Sequence, residues 1–498
     1  MTKINRRQFV GTTTKAAAFS IVPGYVLGGR GRVAPSDKIT IACIGTGTQG
    51  TRVMLDLLKY PELQIVAVAD PVRQDDRYLN WGQYELRNRI RRAIDEPSWD
   101  EGVEGCRAGR EPAKRIVNAW YGKQQNYQGY KGCESFEDYR DMLERMEGID
   151  AVVVGTTDHQ HAQASVRAME KGKHVLCQKP MTNSVHEARV MAETARRTGV
   201  ATQELTATSS AESTDLLTEM IQTGAIGHVR EVHNWSTRPV WPSGFTSLPA
   251  EEPVPDGFNW DLWLGPREHR PFSYQYAHTI FRSWYDFGTG AIGDMGCYSI
   301  DVIFRALNLG FPETIQASAS TFCDVINGVP THLDNRVAHP RAMTAHFTFP
   351  ARHEMPPVEL FWYDGGLKPL VPEELEKDGK DLPAEGMLFT GDKGKILADF
   401  HGGSPHLIPE SAEEAYDAPQ PYLERSKDHI GDWLNACKGG KQGRAHFGFA
   451  DPVTETLNLA IIAMRTRKKL HYDHASMKTN NDEANRLIVP FYREGYRL

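Results

Sequence analysis

The chain has 498 residues, room for two or three domains of ordinary size, roughly 100–200 residues each. Its 40% hydrophobic and 24% charged residues fit a soluble globular protein, and a net charge of -7 without a long basic run excludes a nucleic-acid footprint. Seven cysteines (Cys43, Cys106, Cys133, Cys177, Cys297, Cys323 and Cys437) are scattered and lack CxxC spacing, which excludes a zinc ribbon or a redox pair.

At the N-terminus, Arg6 and Arg7 precede the apolar pair Phe9-Val10, and Ala16 to Leu27 carry no charge. That stretch is too short to span a bilayer and has the length of a signal h-region. With Lys15 in its flank it reads as a twin-arginine export signal. Residues 1–35 are therefore assigned to export, the expected location is periplasmic or exported, and no membrane span is expected in the mature chain.

From residue 36 to 208, strand and helix patterns alternate. Lys38 to Ile44 is a β-branched apolar run ending in glycines, followed by helical spacing of Val53, Met54, Leu57 and Leu58 over 50–60. Gln64 to Ala69 is a second strand. Residues 74–95 carry a charged helical pattern, and 96–132, with Gly and Pro throughout, reads as an insertion. Ser135 to Leu143 reads as a helix opened by a capping box. Ile149 to Val154, His174 to Cys177 and Val200 to Gln203 read as strands, with helices at His159–Lys171 and Val185–Arg197 between them. Such alternation predicts a doubly wound parallel sheet, an α/β Rossmann domain.

Residues 209–498 change texture. After a helix at 211–223 come six strand-like runs: 229–237, 314–322, 343–349, 358–363, 387–390 and 395–399. They predict an α+β domain with a large, mostly antiparallel open sheet that binds substrate and supports a homo-oligomer, dimer or tetramer. A Trp/Pro-rich stretch, 239–285, lies between them, and Thr454 to Met464 reads as an apolar helix.

Gly45-Thr46-Gly47-Thr48-Gln49-Gly50 follows a strand, opens a helix and is followed 20 residues later by Asp70 at the end of the next strand. This is the dinucleotide fingerprint: glycines admit the pyrophosphate, the helix N-terminus supplies donors, and the acid accepts from ribose hydroxyls. An anionic Asp70 favours NAD over NADP, while Arg73 close by leaves NADP open. Lys179 follows Cys177-Gln178 at the end of a strand, where open α/β sheets bind ligands. Apolar walls and a cationic nicotinamide predict a lowered lysine pKa, fit for proton transfer. Trp260, Trp263, Trp284 and Tyr285 could stack on sugar rings or serve as packing anchors. His332, His339, His346 and His353 show no ligand spacing, and no metal is expected.

Together these pieces resemble the Gfo/Idh/MocA oxidoreductases, named for glucose–fructose oxidoreductase and inositol dehydrogenase. The resemblance rests on Gly45–Gly50, Asp70, the run Thr156 to His161, the run Gly172 to Pro180 and the run Trp284 to Tyr298. It implies hydride transfer between NAD(P) and a hydroxyl or carbonyl of a sugar or cyclitol. It places the family's lysine on Lys179, its aspartate on Asp294 and its histidine on Tyr298. It adds Thr156, Thr157, His161 and Gln178 to the cofactor contacts. Two departures stand out: Gln178 replaces the family's glutamate and Tyr298 its histidine.

The expected protein is thus an exported NAD(P)-dependent oxidoreductase acting on the CH–OH group of a carbohydrate. The expected catalytic residues are Lys179, Asp294 and Tyr298. The cofactor set is Gly45, Thr46, Gly47, Gln49, Gly50, Asp70, Thr156, Thr157, His161, Gln178 and Lys179. Substrate is expected against Lys179, Trp284, Asp294, Tyr298 and His278. Two other readings stay open: an NAD-dependent glycoside-cleaving enzyme using transient oxidation, and a nucleotide- or sugar-binding protein without turnover.

Overall fold

The computed structural model describes residues 38–123, 130–426 and 428–498; the export signal read at 1–35 lies outside them. Six parallel strands form the first sheet: β1 (Ile39–Ile44), β2 (Leu63–Ala69), β3 (Glu134–Phe136), β4 (Ala151–Val154), β5 (His174–Cys177) and β6 (Thr202–Glu204). Their order is β3-β2-β1-β4-β5-β6, the doubly wound arrangement. Both faces of the central strands are covered. This is why β1 and β4 read as continuous apolar runs and not as alternation. The order reverses between β1 and β4, so a crevice opens above their carboxyl ends.

Helices α1 (Thr48–Leu57), α2 (His161–Glu170) and α3 (Val185–Thr198) link these strands. Ser184 caps α3, accepting from the Glu187 N–H, and Gly199 ends it at φ +69°.

Three stretches differ from their sequence patterns. Residues 74–95 hold a strand, Asp75–Tyr78, before the helix Glu85–Ile94. The supposed insertion is structured: Cys106–Ala108 pairs antiparallel with Asp75–Tyr78, and Arg110–Lys123 is helical. Pro112 lies in the first turn of that helix, where its missing N–H costs no bond. The helix expected from Ser135 starts later, at Tyr139, because Asp138 supplies the cap by accepting from the Arg140 N–H at 2.8 Å. Residues 134–136 are then left to pair with β2 as an edge strand.

Helix α4 (Glu212–Gln222) leads into the second sheet: β7 (Val229–Trp235), β8 (Thr314–Ala319), β9 (Met343–Phe349), β10 (Val358–Tyr363), β11 (Gly386–Gly391), β12 (Lys395–Ala398), β13 (His406–Ile408), β14 (Leu470–Asp473) and β15 (Lys478–Thr479). The order is β13-β12-β11-β7-β10-β9-β8-β14-β15, antiparallel except for the parallel pair β7/β10. The strictly alternating burial of β9 shows one face turned to the core.

That face packs on helices α5 (Gly290–Leu307) and α6 (Phe447–Thr466) around Phe304, Phe347, Trp362 and Leu457. A Cβ on Gly296 would lie 2.8 Å from the Leu457 side chain, so the α5–α6 crossing depends on that glycine. The two domains are laced together. Arg189 on α3 bonds Glu455 on α6 at 2.8 Å, and the C-terminal residues return to the first domain, where Arg167 donates to the Gly495 carbonyl at 3.0 Å. Among the described residues no helix is long and apolar enough to cross a membrane.

Candidate active site

The crevice above β1 and β4 is an open cleft, where open α/β sheets bind their ligands. Gly45, Gly47, Thr48 and Gln49 line its floor. Gly45 stands at φ +83°, and a Cβ there would lie 2.4 Å from the Thr156 backbone N. A side chain at this position is thus excluded both by conformation and by the neighbouring loop. Gly50 does not line the cleft. Its Cβ would lie 2.0 Å from the Gly45 carbonyl, so it lets α1 approach β1 and contacts no ligand space.

Asp70 lines the next part of the cleft, 6% exposed at the end of β2. Its Oδ2 accepts from the Thr46 N–H at 2.6 Å and its Oδ1 from the Val72 N–H at 2.8 Å. Burial raises its pKa against these two donors. Oδ2 also accepts from the Thr46 hydroxyl at 3.4 Å, while Oδ1 keeps a lone pair for a further donor, such as a ribose hydroxyl. Thr46 itself is fully buried, so its expected cofactor contact is corrected: it orients Asp70.

Thr156, Thr157, Gln178 and Lys179 line the far part of the cleft. His161 does not reach it. Its Nδ1 faces the Pro180 carbonyl at 2.8 Å and its Nε2 the Thr156 carbonyl at 3.1 Å, so it fastens the two loops. Burial holds its pKa down to about 4, despite both carbonyls.

At this end two cations share one carboxylate. Lys179 Nζ donates to Asp294 Oδ1 at 2.8 Å and to the Asp294 carbonyl at 2.6 Å, and Arg282 Nε donates to the same Oδ1 at 2.7 Å. The Lys179 and Asp294 side chains are 9% and 5% exposed. Burial alone would lower the lysine pKa; Asp294 more than offsets it and raises it. The expectation of a lysine poised near neutrality is corrected: Lys179 is held as an ammonium. Asp294, against its own burial, is held well below the usual carboxylate range by Lys179 and Arg282.

Tyr298 lies four residues after Asp294 on α5, and the Lys179 ammonium sits 4.8 Å from its ring centroid. Burial raises the Tyr298 pKa more than Lys179 lowers it, so the phenol of this expected catalytic residue stays protonated. Trp284 is also corrected. It is fully buried, stacks on Phe245 at 4.8 Å, donates its Nε1–H to the Gln275 carbonyl and does not line the cleft. His278 does line it, bonded to Asp75 Oδ2 at 3.3 Å with its ring 3.6 Å from that of Tyr78.

Sequence reading missed Arg282, Asp158 and Tyr78, all of which line the cleft. Arg282 lies in the Trp-rich stretch, which drew notice for its aromatics. Asp158 stands inside the run Thr156 to His161, between residues taken as cofactor contacts. Tyr78 belongs to the ribbon read as helix, and its ring occupies the space a Cβ on Gly47 would need, at 2.9 Å. Among the described residues no group of three or more His, Cys, Asp or Glu could hold a metal ion.

Comparison with known proteins bears on this geometry. Residues 110–205 match the model of an oxidoreductase family's NAD-binding Rossmann fold, and 218–319 match the same family's C-terminal α/β domain. Both models are of the Gfo/Idh/MocA oxidoreductases, which the chain resembles over those residues. A 1,5-anhydro-D-fructose reductase from Ensifer adhaerens is 44% identical over 52 residues, 10% of this chain and 16% of that protein. A glycosyl hydrolase family 109 protein from Stenotrophomonas maltophilia is 21% identical over 304 residues, 60% of this chain and 56% of the other. The match thus spans less than two thirds of either relative. The structure of the WlbA dehydrogenase from Bordetella pertussis, in complex with NADH and UDP-GlcNAcA, shares the fold. Its TM-score is 0.53 and its identity 14%, over 88% of this chain and 99% of that one.

Proposed function

We propose that this chain is an NAD-dependent oxidoreductase that moves a hydride between nicotinamide and a ring hydroxyl or carbonyl of a sugar, glycoside or cyclitol. The observation that carries the reading is Lys179, an ammonium buried against Asp294 at the end of a cleft that begins at Gly45 and Asp70. NAD fits the residues present: the Gly45 turn leaves room for a close approach, and Asp70 Oδ1 offers a lone pair while the carboxylate would repel a 2′-phosphate. When bound, that cofactor accepts or returns a hydride. Lys179 donates a hydrogen bond to the substrate oxygen and stabilises charge that builds on it. Asp294 and Arg282 fix the lysine, while the buried Trp263 and Phe281 give the cleft apolar walls.

The wide match to a family 109 glycosyl hydrolase favours one second reading, cleavage of a glycoside by transient oxidation. Arg6, Arg7 and the uncharged Ala16 to Leu27, all outside the described residues, support export by the twin-arginine route. Half-exposed Phe361 and Tyr363, stacked with His233 and His346 on the outer face of the second sheet, support a homo-oligomer formed through that face. Mass and ultraviolet analysis of the purified protein tests the cofactor. A panel of sugars and aryl glycosides, read for NADH and for aglycone, then separates the two reactions. Absence of bound or bindable NAD would end both readings.

A further inference from the structure

Two carboxyl groups and two cations meet at the end of the cleft, and they are not paired evenly. Asp294 takes direct bonds from both Lys179 and Arg282. Asp158, which also lines the cleft and is 2% exposed, takes neither; the hydroxyl of Thr289 donates to its Oδ2 at 3.0 Å. We propose that Asp158 is a catalytic residue, the carboxylate that takes the substrate hydroxyl's proton beside the Lys179 ammonium. This rests on the oxidoreductase reading above.

The charged and titratable groups facing Asp158 are Cys177 at the end of β5, Lys179 in the loop after it, Arg282 from the Trp-rich cover and Asp294 from α5. Burial raises the Asp158 pKa to about 7; Arg282, Lys179 and the Thr289 hydroxyl oppose the rise, and Asp294 adds to it. Lys179 remains charged, Asp294 ionised and Tyr298 protonated over the same pH range. Carboxyl groups whose surroundings push their pKa values apart mark the acid/base assignment. In oxidation the substrate O–H bond breaks and its proton passes to an oxygen of Asp158. The carbinol C–H electron pair leaves as hydride for the nicotinamide, and a C=O bond forms. In reduction Asp158 returns the proton to the new hydroxyl oxygen.

NAD⁺ would bring a positive charge into the cleft that Asp158 lines and favour its ionised form, so NAD⁺ binding near pH 7 should release a fraction of a proton and NADH binding should not. Calorimetry of both nucleotides in buffers of different ionisation enthalpy reads this directly. In Asp158→Asn the release should vanish with nucleotide affinities within a few-fold of wild type. Turnover should fall by about 10²–10⁴ and lose its rise near neutral pH. Thr289→Val keeps the shape and removes the donor, so it should move that rise to higher pH. If Asp158→Asn keeps the proton release, or Thr289→Val leaves the pH profile in place, the proposal is overturned while the NAD-binding reading stands. If neither nucleotide binds the wild-type protein, both fall.

Discussion

Lys179 and Asp294 meet at 2.8 Å across the junction of the two sheets, one at the end of β5 and the other on α5. The pair is nearly dry, so each group's charge depends on the other. Removing one partner of a buried pair leaves an uncompensated charge, at a cost of about 3–5 kcal/mol when no other partner remains. Here Arg282 keeps a hold on Asp294. Lys179→Met should therefore fold, bind NAD and lose turnover by about 10²–10⁴. Nucleotide titration alongside steady-state rates checks this; full activity would remove the lysine from the chemistry.

Tyr298→Phe keeps the ring beneath the Lys179 ammonium and removes a hydroxyl that stays protonated. Its activity should stay within a few-fold of wild type. Tyr298→Ala should lose more, because a desolvated cation–π contact contributes about 2 kcal/mol. A Phe variant as inactive as Lys179→Met would restore the phenol as the proton acceptor.

Asp70→Ala should weaken NAD binding by about 1.5–3 kcal/mol, the worth of a hydrogen bond to a charged group. Its discrimination against NADP should fall as well. Calorimetry with both nucleotides measures the change, and unchanged affinities would place the ribose elsewhere.

Glu204, at the end of β6, is buried with Oε1 unpartnered, and burial raises its pKa to about 8. A carboxyl raised in the folded state contributes stability below its unfolded pKa, near 4.5. That contribution is lost as pH rises through about 8. Glu204→Gln removes the titration, so the fall in stability between pH 5 and pH 8 should flatten, by up to about 1.4 kcal/mol per pH unit. Denaturant melts at several pH values show the slope; an unchanged slope would assign the proton elsewhere.

Replacing Arg6 and Arg7 with Lys should hold precursor in the cytoplasm if the twin-arginine route is used. A wild-type protein found wholly in the cytoplasm by fractionation would contradict the export reading.

The first sheet, except its exposed edge strand β3, was legible because its strands are buried on both faces and its turns carry glycine where only glycine fits, as at Gly45. The strands β9 and β10 were legible through their alternation, which burial on one face imposes. The ribbon Asp75–Tyr78 was not, since its polar sequence takes shape only by pairing with Cys106–Ala108 and by contacts to His278 and Tyr274, about 200 residues away. The site was legible as to which residues meet, but not as to their charge. The Lys179 pKa turns on a partner 115 positions away and on Arg282, which no local pattern marks. Trp284 fits a sugar-stacking composition but is consumed by the core.

Isotope transfer tests the central claim most directly. The protein is loaded with NAD⁺, mixed in a single turnover with sugars or glycosides deuterated at the ring carbinol carbons, and its nucleotide is analysed by mass. Deuterium is predicted in the reduced nicotinamide of the wild-type protein and is predicted to be absent in Lys179→Met. A protein that holds NAD⁺ yet takes up no deuterium from any member of the panel would contradict hydride transfer at the Lys179–Asp294 site.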